Sequence, residues 1–529
     1  MATPAAPKTP RKILLISADQ WRAECLSAIG HPVVKTPHLD ALAKDGVLFK
    51  RHYTVCAPCG PSRTSLLTGM YLMNHRSGRN GTPLDARHTN LALEGRKAGY
   101  DPTLFGYTDT SHDPRTRPLD DPQLKTYEGV MPGFTVGMQL PDHMAPWIAD
   151  LKAKGYPLTG RHDVYKPRMD QPLPPGRGHN YHPTIFTAED SETTFMADTV
   201  LKWLSVRQQE NWFVHCVFLR PHPPIIAPEP YNTLYHPDDV PLPQRKPTPE
   251  EEGAQHPHLK LWIDSLGRTK GYDEHNVNNF VTMDELNLRQ MRATYYAMIT
   301  QVDEQVGRII AHLKATGEYD NTLIVFTCDH AEMGGDHYTW GKETYFEQSF
   351  HIPLIIRDPR GAADDARGQV VDRFTESVDV MPTILDWLGR DIPAQCDGHS
   401  LLPFLQGETP ANWRDAVHYE VDFRYTPNLP RLDAEIALGL APDDCYFTVI
   451  RDEKYKYVHF ANLPPLFFDM QADPYEMHNL AEQPERGAEM LRYAQKMLSW
   501  RMRYAERTLT NLHLSSQGVF DGHRRALVS

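Results

Sequence analysis

The chain has 529 residues, 40% hydrophobic and 23% charged, which is ample for a large buried core. Its 55 Lys+Arg against 68 Asp+Glu give a net charge of −13, which excludes a general nucleic-acid binder but not a locally positive pocket. Seven scattered cysteines (Cys25, Cys56, Cys59, Cys216, Cys328, Cys396 and Cys445) make no disulfide framework, and no run reaches the ~18 apolar residues of a membrane span. Behind an Ala/Pro/Lys-rich start, Ile13-Leu14-Leu15-Ile16 is too short for a signal segment, so a cytoplasmic location is expected. The same run reads as a buried strand over 13–17 that delivers Asp19-Gln20 at its carboxyl end, where open α/β sheets bind ligands.

Thr36-Pro37 opens a helix with Leu39, Leu42 and Ala43 on one face and Gly46 as its stop. Val47-Leu48-Phe49 is a short strand, and the Cys59 region follows, with a helix opening from Ser62. From about 140 to 260 prolines crowd in (Pro157, Pro167, Pro172, Pro174, Pro175), which reads as an irregular insertion or lid. Inside it, 212–219 is a buried strand ending at Arg220-Pro221-His222-Pro223-Pro224. Met291, Tyr295, Met298, Val302, Val306, Ile309 and Leu313 step by three or four, predicting one long helix over 284–316. Another buried strand, 323–327, ends at Asp329-His330. Strands 446–450 and 455–460, a further strand at 466–469 and a helix over 485–507 complete the chain. That helix carries Met490, Leu491, Ala494, Met497, Leu498 and Met502 as its expected inner side. The alternation predicts an α/β core, a mostly parallel sheet between helices, over 1–410, and a smaller α+β C-terminal subdomain and tail over 411–529.

The chemistry-bearing signal is Cys59-Gly60-Pro61-Ser62-Arg63, followed by Leu67-Thr68-Gly69. A helix N-terminus favours anions, and Arg63 adds a planar positive fork beside the cysteine. Cys56 and Cys59 are also spaced as a redox pair, although no thioredoxin-like pattern surrounds them. Asp19-Gln20 and Asp329-His330 offer oxygen and nitrogen donors of the type that divalent ions take.

These stretches together resemble the sulfatase family of the alkaline phosphatase superfamily, whose signature is Cys-x-Pro-Ser-Arg followed by Leu-Thr-Gly. The resemblance is strongest to bacterial phosphonate monoester hydrolases and related arylsulfatases. It extends to Asp19-Gln20-Trp21-Arg22, Gly335-Asp336-His337 with Gly341-Lys342, Ser377-Val378-Asp379-Val380-Met381-Pro382-Thr383 and Leu463-Pro464-Pro465-Leu466-Phe467-Phe468-Asp469. It implies an alkaline-phosphatase-like fold and formylglycine made from Cys59 by a modifying enzyme. It also implies one divalent ion (Mn²⁺, Ca²⁺, Mg²⁺ or Zn²⁺) on Asp19, Gln20, Asp329, His330 and the residue at 59. Arg63, His222 and Lys342 take catalytic roles by the same resemblance, and Asn80 and Tyr107 line the pocket. Two departures stand out. Gln20 replaces a second aspartate of many members, and Tyr107-Thr108-Asp109 stands where relatives have Tyr-x-Thr, with Thr108 and Thr110 as alternative hydroxyls.

The implied reaction attacks sulfur or phosphorus with one hydroxyl of the hydrated aldehyde, and the other hydroxyl then expels the oxyanion and restores the aldehyde. The metal lowers the first hydroxyl's pKa. Lys342 or His222 assists the leaving oxygen. Aryl sulfates are the expected main substrates, with phosphonate monoesters and phosphodiesters as promiscuous ones. The alternative puts the phosphonate and diester activity first. Rival readings are a two-metal phosphatase, a binding protein with unmodified Cys59, and a thiol oxidoreductase using Cys56 and Cys59. The expected partners are a small ester and the modifying enzyme, with no nucleic acid and no membrane. A homo-oligomer, dimer or tetramer, is expected, the tail beyond Arg507 serving as a contact arm.

Overall fold

The strand β1 (Lys12–Asp19) is buried along its whole length. Of its two charged end-residues, Lys12 is matched by Glu318 at 2.5 Å and donates to the Gln208 carbonyl at 2.7 Å. The computed structural model describes residues 11–140, 144–208, 210–266, 279–424, 434–521 and 526–528. Next come the helix α1 (Pro37–Asp45), strands β2 (Val47–Tyr53) and β3 (Cys56–Ala57), helix α2 (Cys59–Thr68), and strands β4 (Pro102–Gly106) and β5 (Thr135–Gln139). They are followed by α3 (Glu192–Leu204), β6 (Phe213–Pro221), α4 (Glu285–Ala315), β7 (Thr322–Cys328), β8 (Leu354–Arg357), β9 (Gln369–Glu376) and α5 (Val380–Trp387).

Eight strands form the central sheet in the order β5-β4-β6-β1-β7-β8-β2-β9. All run one way except β8, which is antiparallel to both β7 and β2. Alternate residues of β1 enter opposite layers. Leu14 and Ile16 pack with α1, α3 and α4 residues such as Leu39, Val200 and Val302. Ile13 and Leu15 pack with Leu66 and Leu67 of α2 and Ile384 and Leu385 of α5. Helices on both faces explain why β1 reads as a continuous apolar run rather than an alternating one. The α/β class expected from the sequence is therefore the one observed. Within the proline-rich 140–260 region, β6 sits beside β1 at the centre of the sheet and α3 packs on it.

A second sheet has the order β13-β12-β11-β10-β3, built from β10 (Ala416–Asp422), β11 (Tyr446–Asp452), β12 (Tyr455–Phe460) and β13 (Leu466–Asp469). The short β3 joins it in parallel, Cys56 opposite Glu420 and Ala57 opposite Val421. The C-terminal sheet thus holds the segment directly ahead of Cys59. The helix α6 (Gly487–Tyr504) covers this sheet with Tyr493, Met497 and Trp500. Its expected apolar face is split: Met490, Ala494 and Met497 turn inward, while Leu491, Leu498 and Met502 are exposed. A third, three-stranded sheet follows, β14 (Leu512–Ser515), β15 (Gly518–Asp521) and β16 (Ala526–Val528). Among the described residues no helix is long and apolar enough to cross a membrane.

Candidate active site

Because β1, β4, β6 and β7 are parallel neighbours, their carboxyl ends share one edge, where ligand sites of open α/β sheets form. Those ends carry Asp19-Gln20, Tyr107, His222 and Asp329-His330. The helix α2 aims its N-terminus at the same edge. It begins at Cys59, three residues before the expected Ser62. Pro61 is accommodated because the first turn needs no intrahelical N–H. The orphan Gly60 N–H donates to Asn80 Oδ1 at 2.8 Å. A methyl group at Gly60 would come within 2.9 Å of that oxygen and 3.0 Å of the Asp109 carbonyl, so glycine is required there. Asn80 is thereby fixed beside Cys59, and among the described residues nothing accepts from its Nδ2.

Asp19, Cys59, Asp329 and His330 form a buried cluster whose donor atoms all lie within 4.8 Å of one another. Cys59 Sγ is 3.1 Å from His330 Nε2. His330 Nδ1 faces the Ala331 carbonyl at 3.2 Å, so that nitrogen carries the proton and the Nε2 lone pair points at the cluster. Asp19 Oδ1 is buried without a hydrogen-bond partner. Such an oxygen is costly unless something positive meets it. Two carboxylates, an imidazole nitrogen and the side chain at 59 fit a divalent ion chemically.

Arg63 organises this cluster. Its Nη2 donates to Asp19 Oδ2 at 2.8 Å and to Asp329 Oδ2 at 3.0 Å, and Nε donates to Asp329 Oδ2 at 3.1 Å. Nη1 donates to the Tyr107 carbonyl at 3.1 Å, with the guanidinium 4.1 Å from the Tyr107 ring centre. Most of its donors are therefore spent on holding the two aspartates apart and oriented, not on a free anion seat. Tyr107 belongs to the same layer, its hydroxyl donating to Asp19 Oδ2 at 2.7 Å.

Gln20 sits in the left-handed region (φ 68°), with its carbonyl accepting from Tyr295 Oη at 2.7 Å and its N–H donating to Asp329 Oδ1 at 3.1 Å. Its side-chain Oε1 faces Lys342 Nζ at 2.7 Å, and its Nε2 donates to the Glu332 carboxylate. Glu332 also accepts from the Gly334 and Gly341 N–H groups at 2.9 and 2.7 Å. Glu332 thus decides which end of the Gln20 amide faces the cluster. Arg22 clamps the same loop, donating to the Met333 carbonyl at 3.1 Å and pairing with Asp336 at 2.7 Å. In the sequence Tyr295 reads only as a helix-face residue and Asp336 only as part of a resembling stretch, and Glu332 goes unnoticed. The one local signal was an acid two residues after His330 in a glycine-rich turn.

Burial works against the Lys342 ammonium, yet its interactions with Cys59, Asp19 and Asp329 outweigh that and raise its pKa. His222 goes the other way: burial lowers its pKa despite Asp19, and Lys342 adds to the lowering. His222 Nδ1 lies 2.7 Å from the Pro223 carbonyl, which fixes the proton there. Cys56, the other half of the possible redox pair, hydrogen-bonds to Ser65 Oγ at 3.3 Å inside a separate apolar cluster, and burial raises its thiol pKa. No two of the seven cysteines are bonded.

The profile of the Sulfatase family matches residues 11–390, and that of the N-sulphoglucosamine sulphohydrolase C-terminal region matches residues 335–503. The chain belongs to the sulfatase family. This sulfatase is 44% identical to the multifunctional alkaline phosphatase superfamily protein PehA of Trinickia caryophylli, over 97% of this chain and 99% of that one. The crystal structure of the phosphonate monoester hydrolase of Agrobacterium radiobacter superposes with a TM-score of 0.91 at 45% identity, covering 97% and 99% of the two chains. An arylsulfatase of Clostridium perfringens is 27% identical over 92% of this chain and 93% of its own. This sulfatase is a hydrolase of the alkaline phosphatase superfamily acting on sulfate or phosphonate monoesters.

Proposed function

We propose that this sulfatase is a formylglycine-dependent hydrolase of monoanionic esters whose main substrates are phosphonate monoesters and phosphodiesters, with aryl sulfates secondary. This reverses the ranking expected from the sequence, which put aryl sulfates first. The observation behind it is the near-full-length likeness at 44–45% to PehA and a phosphonate monoester hydrolase, against 27% to the arylsulfatase.

In this reading Asp19, Gln20, Asp329, His330 and the residue at 59 hold one divalent ion, Mn²⁺, Ca²⁺, Mg²⁺ or Zn²⁺. Bound there, that ion would supply Lewis acidity to the reaction. Oxidation of Cys59 by a modifying enzyme supplies a hydratable aldehyde, which a thiol lacks. Arg63 keeps both aspartates in place through the bonds described above. Asn80 Nδ2 donates to an oxygen of the transferring group, since Oδ1 is held by Gly60. Lys342, kept protonated by its anionic surroundings, stabilises charge on the leaving oxygen. His222 stays neutral with its free Nε2 toward the pocket. The exposed Leu498, Met502, Leu509 and Leu514 support a homo-oligomer contacting through its C-terminal arm, which light scattering on a chain cut after Arg507 checks.

The test is a set of 4-nitrophenyl esters sharing one leaving group: a phosphonate monoester, a phosphodiester and a sulfate. The proposal expects kcat/KM to rank the first two above the third. An enzyme that prefers the sulfate overturns the ranking.

A further inference from the structure

Asp109 is a buried acid at the centre of the site that the metal-type cluster does not use. The four-residue cluster of donors excludes it. Its carboxyl oxygen lies 3.6 Å from Arg63 Nε, an ion pair rather than a hydrogen bond. Its backbone has φ +48°, a region that residues other than glycine, asparagine and aspartate avoid.

The loop is fixed so that this residue, and neither neighbour, faces the pocket. Thr108 Oγ1 donates to the Gly129 carbonyl at 3.0 Å and accepts from Met131 N at 2.8 Å. Thr110 N donates to the same carbonyl at 2.9 Å, and Thr110 Oγ1 donates to Thr108 Oγ1 at 3.2 Å. Neither threonine can replace a pocket hydroxyl. On the other side, the Asp109 carbonyl and Asn80 together flank Gly60, the residue next to the nucleophile. The Asp109 carboxyl is close enough to oppose ionisation of the Cys59 thiol. Burial, against the pull of Arg63 and with help from Asp19, pushes its own pKa up to about 7.

We propose that Asp109 is a specificity residue: its carboxyl group lines the seat of the transferring group beside Arg63 and Cys59 and discriminates against esters carrying two negative charges. This rests on the hydrolase reading above and refines its substrate class. A sulfate monoester, a phosphonate monoester and a phosphodiester each bring one charge, whereas a phosphate monoester brings two near neutral pH. The second charge meets the Asp109 carboxyl, which disfavours it.

The experiment compares kcat/KM for 4-nitrophenyl phosphate with kcat/KM for the three monoanionic 4-nitrophenyl esters, using metal-loaded wild type, Asp109→Asn, Asp109→Gly and Asp109→Glu. Asparagine and glycine both tolerate the left-handed backbone. The dianion-to-monoanion ratio should rise roughly 10- to 100-fold in Asp109→Asn and Asp109→Gly, the order expected for a partly ionised carboxyl ~5 Å away at an effective dielectric of 20. It should stay near wild type in Asp109→Glu. A ratio unchanged in active, folded Asp109→Asn and Asp109→Gly overturns the inference and leaves the hydrolase reading standing. A wild type that turns over no monoanionic ester overturns both. Failure of both variants to fold would make the carboxyl structural and also overturn it.

Discussion

Replacing Glu332 by glutamine changes no volume and touches no donor of the metal-type cluster, yet it should weaken metal binding. The Glu332 carboxylate accepts from Gly334 N, Gly341 N and Gln20 Nε2. A glutamine has one acceptor oxygen for these three donors. If that oxygen keeps the glycine N–H groups, its NH₂ meets the NH₂ of Gln20, donor against donor. The Gln20 amide must then flip, turning Nε2 toward Lys342 and the cluster in place of Oε1. If the oxygen keeps Gln20, a glycine N–H of the loop carrying Lys342 is left unpaired in a buried site. Either way at least one hydrogen bond to a charged group is lost, about 1.5–3 kcal/mol. Loss of such an outer partner typically lowers metal affinity about 10–100-fold. The assay is a chelator-buffered Mn²⁺ titration of wild type and Glu332→Gln, with thermal melts of the metal-free forms. Equal affinities and equal melting temperatures would refute the idea that Glu332 sets the Gln20 amide.

Three further outcomes follow from the same geometry. Cys56→Ser should leave kcat/KM essentially unchanged and cost at most about 1 kcal/mol of stability, since Ser65 Oγ still partners a hydroxyl buried among Val55, Tyr71 and Leu72; a dithiol mechanism would lose all activity. Burial lowers the pKa of both His222 and His330, so both stay neutral as pH falls through the ordinary imidazole value. In Asp109→Asn, which lacks the carboxyl that titrates near 7, the kcat/KM profile should therefore hold flat through pH ~6.5 and fall only below it, and a limb centred at 6.5 would contradict this. The same depression makes the two imidazoles a stability liability in acid, where unfolding lets them take up protons. Finally, Glu476→Ala strands the fully buried Lys456, whose ammonium also donates to the Tyr345 carbonyl at 2.5 Å. It should cost about 3–5 kcal/mol in urea unfolding, whereas replacing both partners by apolar residues should cost much less.

Contiguous features were legible in the sequence. Asp19-Gln20 and Asp329-His330 announce themselves as polar pairs ending apolar runs, and a parallel sheet brings such ends together. Cys59 to Arg63 lies within one turn of α2, so its spacing already carries the geometry. What acts across the chain was not legible. Glu332 is 312 positions from the Gln20 it orients, and its place two residues after His330 in a glycine-rich turn does not reveal that partner. Asp109 could be seen as an odd acid, but its orientation depends on Gly129 and Met131 gripping Thr108. The two-residue β3 is too short for any periodic signal, so its pairing with β10 could not be read. On α6 the apolar residues outnumber one face. Period alone could not say that Leu498 and Met502 point outward while Tyr493 and Trp500 seal the sheet.

The central claim is that residue 59, converted from cysteine, is the nucleophile of a monoester hydrolase. Its most direct test is the rate of phosphonate monoester hydrolysis by the metal-loaded wild type and Cys59→Ala, measured side by side after mass spectrometry of the peptide bearing residue 59. The account expects an aldehyde at 59 in the wild type and a rate in Cys59→Ala reduced to background. A Cys59→Ala enzyme that keeps the wild-type rate would contradict it.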